Sequence, residues 1–354
     1  MRILLVAALF ASIVFESHQL AAQNPSTPSA ENANPAGEQK TDAGDKAGSS
    51  FLPQGIANVA DEAAKFGSRF NIPIKTTGGT QVWTDHAYRD GYRVQEHALT
   101  GHCRLLDGGN VRRAWGTKEQ CLAALENYKP KPADPAKPQQ VAVLLHGLMR
   151  TSHSMKPLEV SLKEEGFDDI IRFSYASSRR SIGDHAAALR VILEDQPTNT
   201  QFTFAGHSMG NIVVRHLVGD LQRDGDPAGI LPRCRCMVML GPPNQGASIS
   251  RRLAPTGLYG LLTGKGGMEL GPEWAEFVKR LATPPFPFAI VAGDVSDNTI
   301  QNPLVDGDGD FVVGLDEAKL DGCAEFHTVP VLHSFLMNDP KAIELSVEFI
   351  RKHP

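Results

Sequence analysis

The chain has 354 residues, 41% hydrophobic and 21% charged, with a formal net charge of -5. That length suits one large domain or two unequal ones, and the mild negative charge argues against nucleic acid, which favours a basic face. Beyond the N-terminus no segment is apolar for the roughly 20 residues a membrane span requires.

Met1-Arg2 is a short basic start, Ile3 to Phe15 is an apolar run broken only by Ser12, and Leu20-Ala21-Ala22 offers small residues before Gln23. This order predicts a secretory signal peptide over residues 1–22, hence export to the periplasm, cell surface or medium, with no stable membrane span after cleavage. Residues 23–50 are rich in Pro, Ala, Asn, Ser and Gly. They lack the apolar surface to offset ordering entropy and read as a disordered tether.

Residues 51–128 read as a small accessory domain. Val82 to Arg89 and Tyr92 to Leu99 flank Asp90-Gly91, a two-residue hairpin signal. His102 to Leu106 and Val111 to Trp115 flank a second turn, Asp107 to Asn110. Thr117 stands three residues before Gln120, the spacing of a capping box opening a helix through Asn127. A β-meander plus helix results. Trp83, Tyr88 and Tyr92 could form a ligand surface, but packing a minimal core is the commoner use.

Residues 129–139, with four prolines, read as a stiff linker. From about residue 140 to 354, apolar runs alternate with helical patterns. The strands are Val141 to Leu145, Ile170 to Phe173, Phe202 to Ala205, Met237 to Leu240, Phe288 to Ala292 and Phe326 to Val331. Helices carry Met155, Leu158 and Leu162, then Ala188, Leu189 and Ile192, then Val214, Leu217, Val218 and Leu221. Asp339-Pro340 opens the last one. Strand–helix alternation predicts an α/β class with a mostly parallel sheet covered on both faces.

The five cysteines are an odd number. Cys103 and Cys121 could pair in an oxidising compartment. Cys234 and Cys236, one residue apart on a strand, are expected to diverge and make a poor bridge. With Cys323 alone and no Cys/His pairs at zinc spacing, no structural metal is expected.

Gly206-His207-Ser208-Met209-Gly210 matches G-x-S-x-G between an apolar strand and an amphipathic helix, the setting in which a nucleophilic serine is raised on a sharp turn. The helix start leaves unpaired N–H groups, that of Met209 among them, facing a developing oxyanion. The strand Val141 to Leu145 runs into His146-Gly147-Leu148-Met149. Here the chain resembles the α/β-hydrolase family, whose lipases and esterases carry a His-Gly pair at this point. The resemblance covers about residues 139–352 and none of the meander. It implies the α/β-hydrolase fold, an ester substrate (small-molecule or lipid), no cofactor, and the Leu148 N–H as second oxyanion donor, with Met149 as fallback. His146 is then structural. The longer His-Gly-Gly-Gly motif of another esterase branch is absent.

Ser208 needs a base, and the fold's order of nucleophile, acid, histidine requires a late one. His327 lies within the last strand; His333 follows it, where a loop side chain can reach back over the sheet edge. Asp310-Phe311-Val312-Val313-Gly314-Leu315 resembles the Asp-Gly-x-Val segment carrying the acid in many bacterial lipases, which implies Asp310. Phe311 replaces the usual glycine, so Asp308, followed by Gly309, stays open as the alternative acid.

Asp306, Asp308, Asp310 and Glu317 also fall at positions 1, 3, 5 and 12 of a calcium loop. Phe311 occupies the position that wants glycine, and Val312, Val313 and Leu315 read as a strand edge. Between about 244 and 285, apolar residues on a glycine-rich segment suggest a small lid, with a helix over Pro272 to Leu281. The expected activity is therefore ester hydrolysis through a Ser-His-Asp triad and an acyl-enzyme. Acyl transfer, thioester or amide cleavage by the same residues, or a non-catalytic binding role, are the alternatives.

Overall fold

The computed structural model describes residues 73–79, 81–129, 137–296 and 302–354, all within one compact unit. The expected signal peptide and tether, the start of the expected accessory segment and most of the proline-rich stretch lie outside the described residues.

The first sheet is antiparallel, in the order β1-β5-β4-β3-β2. Its strands are β1 (Ile74–Lys75), β2 (Trp83–Arg89), β3 (Tyr92–His97), β4 (Cys103–Leu106) and β5 (Val111–Gly116). Asp90 (φ 48°) and Gly91 (φ 86°) make the tight turn that Asp-Gly favours. Helix α1 (Lys118–Leu125) opens on the Thr117–Gln120 capping box and sets Cys121 and Leu125 over Val94, Leu105 and Ala114. β1 carries no sequence signal; it is two residues long and follows β5 by register alone.

The second sheet is parallel throughout, in the order β11-β10-β9-β8-β6-β7. It comprises β6 (Gln139–Leu145), β7 (Asp169–Phe173), β8 (Thr200–His207), β9 (Cys234–Leu240), β10 (Phe288–Gly293) and β11 (Glu325–Val329). Helices α2 (Lys156–Glu164) and α9 (Pro340–Lys352) cover one face, where Leu158, Leu162 and Phe349 meet Ala142, Leu144 and Val291. Helices α3 (Ile182–Glu194) and α4 (Met209–Asp224) cover the other, where Leu189, Ile212 and Leu217 meet Val143, Phe204 and Ile290. Burial on both faces is why these strands read as unbroken apolar runs. The α/β class with a preceding meander is the observed architecture. From β6 the chain moves to one side for β7 and then to the other for β8. The switch point of the sheet therefore lies between the C-terminal ends of β6 and β8, where doubly wound sheets open a crevice.

Several expectations need correction. The segment 312–315 is not a strand edge: the Asp310 carboxylate draws in the N–H groups of Val312 and Val313, and Leu315 opens the short helix α8 (Leu315–Ala318). In the insertion, the helix expected over Pro272 to Leu281 shrinks to α7 (Trp274–Phe277) plus a 3-10 turn, Val278–Arg280. Two helical segments without sequence warning precede it, α5 (Ser248–Leu253) and α6 (Leu258–Glu269), the latter kinked at Gly264. Strand alternation alone would put Cys234 and Cys236 on one face. A register shift between Phe202 and Thr203 opposite them sends Cys234 to the α3–α4 side and Cys236 to the other, so they do diverge. Cys103 and Cys121 are buried free thiols. Trp83 and Tyr88 are buried, and the Tyr88 hydroxyl donates to Asp169 at 2.9 Å, binding the meander to β7.

Candidate active site

Ser208 follows β8 directly and is the N-cap of α4, with φ 52° and ψ -123°, a backbone conformation that a non-glycine residue holds only when its surroundings fix it. Its N–H donates to the Leu240 carbonyl at 2.8 Å, and its own carbonyl accepts from the Asn211 backbone N–H and side-chain amide, both at 3.1 Å. Asn211, fully buried, is one residue that sequence reading missed; a polar residue three positions into a helix looks like an ordinary first-turn residue. The flanking glycines are required by space. A methyl on Gly206 would stand 2.8 Å from the Asn211 nitrogen, and one on Gly210 would stand 2.6 Å from the Leu145 carbonyl oxygen. A methyl on Gly147 would lie 3.1 Å from the Ser208 Cβ, so the His146-Gly147 turn faces Ser208 directly.

His333 begins a 3-10 turn, His333–Asn338, four residues beyond β11. Its Nδ1 lies 2.6 Å from the Asp310 Oδ2, with Asp310 1% exposed and His333 7%. An ionised carboxylate only accepts, so Nδ1 carries the proton and Nε2 keeps the lone pair that a general base needs. The other Asp310 oxygen accepts from the Val312 and Val313 N–H groups at 3.0 and 2.7 Å, and the His333 N–H donates to the Asp310 carbonyl at 2.9 Å. The Asp310–His333 pair sits against Gly241, where a methyl would come within 3.0 Å of His333 Nδ1. Ser208 is anchored to Leu240, the residue before Gly241, so Ser208 and His333 flank one corner at the end of β9. The Ser208 hydroxyl makes no hydrogen bond to His333 here; such bonds often tighten only with substrate in place.

Asp308 is exposed, makes no contact with His333, and contributes only its carbonyl, which accepts from the Leu315 N–H at 2.7 Å. Asp306 pairs with Arg252, and Glu317 accepts from the N–H groups of Gly314 and Ser248. The four carboxylates of the calcium reading thus do not converge: three go to different partners and that of Asp308 faces solvent. Among the described residues no cluster of His, Cys, Asp or Glu could hold a metal.

The N–H groups of Leu148 and Met209 have no acceptor among the described residues, whereas the Met149 N–H donates to the Ser177 hydroxyl at 3.0 Å. The fallback donor is therefore occupied. Burial pushes His146 down to about 4 and His207 well below the usual imidazole range, so both stay neutral. The His146 Nδ1–H donates to the Gly147 carbonyl at 2.9 Å, and its ring stacks on Tyr175. The His207 Nε2–H donates to the His333 carbonyl at 3.0 Å and steadies the histidine loop from below. The glycine-rich α6 lies beside this site: a methyl on Gly266 would stand 3.0 Å from the Met209 sulfur and 3.1 Å from the Ser177 carbonyl. No described helix is long and apolar enough to cross a membrane.

No family model and no curated protein matches the sequence. Among solved structures, the mature lipase BlEst2 of Bacillus licheniformis is 17% identical and aligns over 61% of this chain and 94% of its own, with a TM-score of 0.46. The lin2722 product of Listeria innocua is 19% identical over 61% of this chain and 95% of its own, at 0.44. Phospholipase PlaB of Legionella pneumophila is 15% identical over 51% and 45%, at 0.38.

Proposed function

We propose that this chain, built on the α/β-hydrolase fold, is an exported serine hydrolase that cleaves carboxylic esters. The reading rests above all on the buried Asp310–His333 pair set beside Ser208 at its strained turn. In the proposed reaction Ser208 Oγ attacks the ester carbonyl while His333 Nε2 takes its proton, and Asp310 holds the ring and stabilises its cation. The tetrahedral oxyanion lies between the Leu148 and Met209 N–H groups. His333 then protonates the leaving alcohol, and water, activated by the same histidine, releases the acid from the acyl-enzyme. In deacylation His333 takes a proton from the attacking water and returns it to Ser208 Oγ as the acyl bond breaks, so protons balance and nothing is oxidised or reduced.

The test is labelling by a fluorophosphonate probe. The wild type is expected to label, while Ser208→Ala and His333→Ala are not, with ester turnover down several orders of magnitude in both. A folded wild type that neither labels nor turns over p-nitrophenyl esters would overturn the reading. A graded series of p-nitrophenyl acyl chains then measures the acyl pocket.

A further inference from the structure

The meander has a connection to the site that no motif announced. After β7 the chain runs through Ser174 to Ser178, and this segment is held by the meander on one side. Asp85, fully buried on β2, accepts from the Ser174 N–H at 2.7 Å, and the Asp85 N–H donates to the Ser174 carbonyl at 2.8 Å. The Thr84 hydroxyl oxygen accepts from the Ala176 N–H at 3.1 Å. On the other side the segment meets the turn after β6, where Ser177 Oγ accepts from the Met149 N–H at 3.0 Å. Gln81 closes the circuit. Its side-chain N–H donates to the Met149 carbonyl, and its side-chain oxygen accepts from the Ser178 hydroxyl at 2.9 Å.

Met149 thus has both backbone polar groups tied, one to Ser177 and one to Gln81. It needs the restraint, because it sits at φ 60°, where L residues with long side chains seldom rest. The peptide before it is fixed as well. The Gly147 carbonyl accepts from the Arg150 N–H at 3.2 Å and from His146 Nδ1–H. A trans peptide is planar, so the Leu148 N–H points the opposite way from that carbonyl. The direction of the proposed oxyanion donor is therefore set by a turn whose far end is held from the meander.

We infer that Gln81 is a positioning residue for the Leu148 oxyanion donor, and that the meander is part of the catalytic scaffold rather than a separate module. This rests on the ester-hydrolase reading above. A purely structural role would change stability without touching the transition state, and the two separate kinetically.

The full chain is compared with Gln81→Met, which keeps the side-chain length and loses both hydrogen bonds, and with Ser177→Ala, which frees the Met149 N–H. Hydrolysis of a p-nitrophenyl ester is measured alongside inhibition by a trifluoromethyl ketone, whose hemiketal oxyanion uses the same donors as the transition state. In folded variants kcat should fall roughly tenfold to a hundredfold, part of what loss of an oxyanion donor costs. KM should stay within about twofold, and the ketone should weaken by the same factor as kcat. Unchanged kcat and ketone affinity, or a raised KM with kcat intact, would overturn the inference while the hydrolase reading stands. If Gln81→Met fails to fold, Ser177→Ala decides alone by the same measurements. A wild type without labelling or turnover would take down both readings.

Discussion

Asp308 and Asp310 are two residues apart, both acidic and both beside a glycine or a glycine substitute, yet their surroundings differ sharply. Asp310 is buried, with one oxygen on His333 and the other on two backbone N–H groups; Asp308 faces solvent. An asparagine at position 310 would have to turn its NH2 either toward the His333 Nδ1–H or toward those backbone donors. Both arrangements oppose donor to donor. Asp310→Asn should therefore lower kcat by roughly 10⁴, the size seen when a triad histidine is left in the wrong tautomer. Asp308→Asn, an exposed change, should stay near wild type in both kcat and stability, within about 0.5 kcal/mol. Steady-state ester hydrolysis and urea unfolding check both, and a reversed order of effects would reassign the acid.

Helix α4 approaches the end of β6 closely enough that only glycine fits at its second position. Gly210→Ala would press a methyl to 2.6 Å from the Leu145 carbonyl oxygen and 2.8 Å from its Cβ, both on rigid parts of the sheet. Overpacking of this kind costs about 1–3 kcal/mol. It also shifts the first turn of α4, where the Met209 N–H sits, so kcat should fall with the urea midpoint. Gly225 at the other end of the same helix offers the contrast. It is left-handed at φ 75° with open space around it, so Gly225→Ala should cost about 1 kcal/mol in stability and leave kcat alone. A drop in kcat for Gly225→Ala equal to that of Gly210→Ala would mean the effect is general loosening, not the local approach.

Among the described residues, three of the buried histidines tie stability to pH most strongly. Burial lowers His146 to about 4, His185 to about 3 and His207 well below the ordinary 6.5. As pH falls below 6.5 the unfolded chain takes up protons at these positions and the folded chain does not. Stability is therefore lost progressively as pH falls from about 6.5 toward 3 and is insensitive to these groups above neutrality. The urea midpoint should follow that profile. His185 lets its share be isolated, because neither of its ring nitrogens has a partner among the described residues, and its ring packs beside Tyr175. His185→Leu should raise the midpoint at neutral pH by an amount worth about 1–3 kcal/mol and flatten the acid decline. A variant less stable than wild type at neutral pH, with the same acid slope, would show that a bridging water or packing supports the imidazole.

The strands of the parallel sheet, the hairpin at Asp90-Gly91, the caps at Thr117 and Asp339 and the serine turn were legible in the sequence, because each depends on residues within a few positions. Apolar runs mark strands buried on both faces, Asp-Gly supplies the φ values of a tight turn, and small residues around Ser208 permit the bend. The resemblance pointed to Asp310 but left Asp308 open, since the choice depends on which carboxylate faces a histidine more than twenty residues later. Helix α6 escaped notice because Gly264, Gly266 and Gly267 argue against a helix locally, and Gly264 (φ 64°) does kink it into two short pieces. Its place is fixed by close contact with Met209 and the Ser177–Ser178 backbone, which only glycines allow. The faces of Cys234 and Cys236 depended on one register shift in a neighbouring strand. The link from Gln81 to Met149 spans 68 positions and leaves no periodic trace, so only the tertiary structure, by bringing distant hydrogen-bonding groups together, could tie the meander to the site.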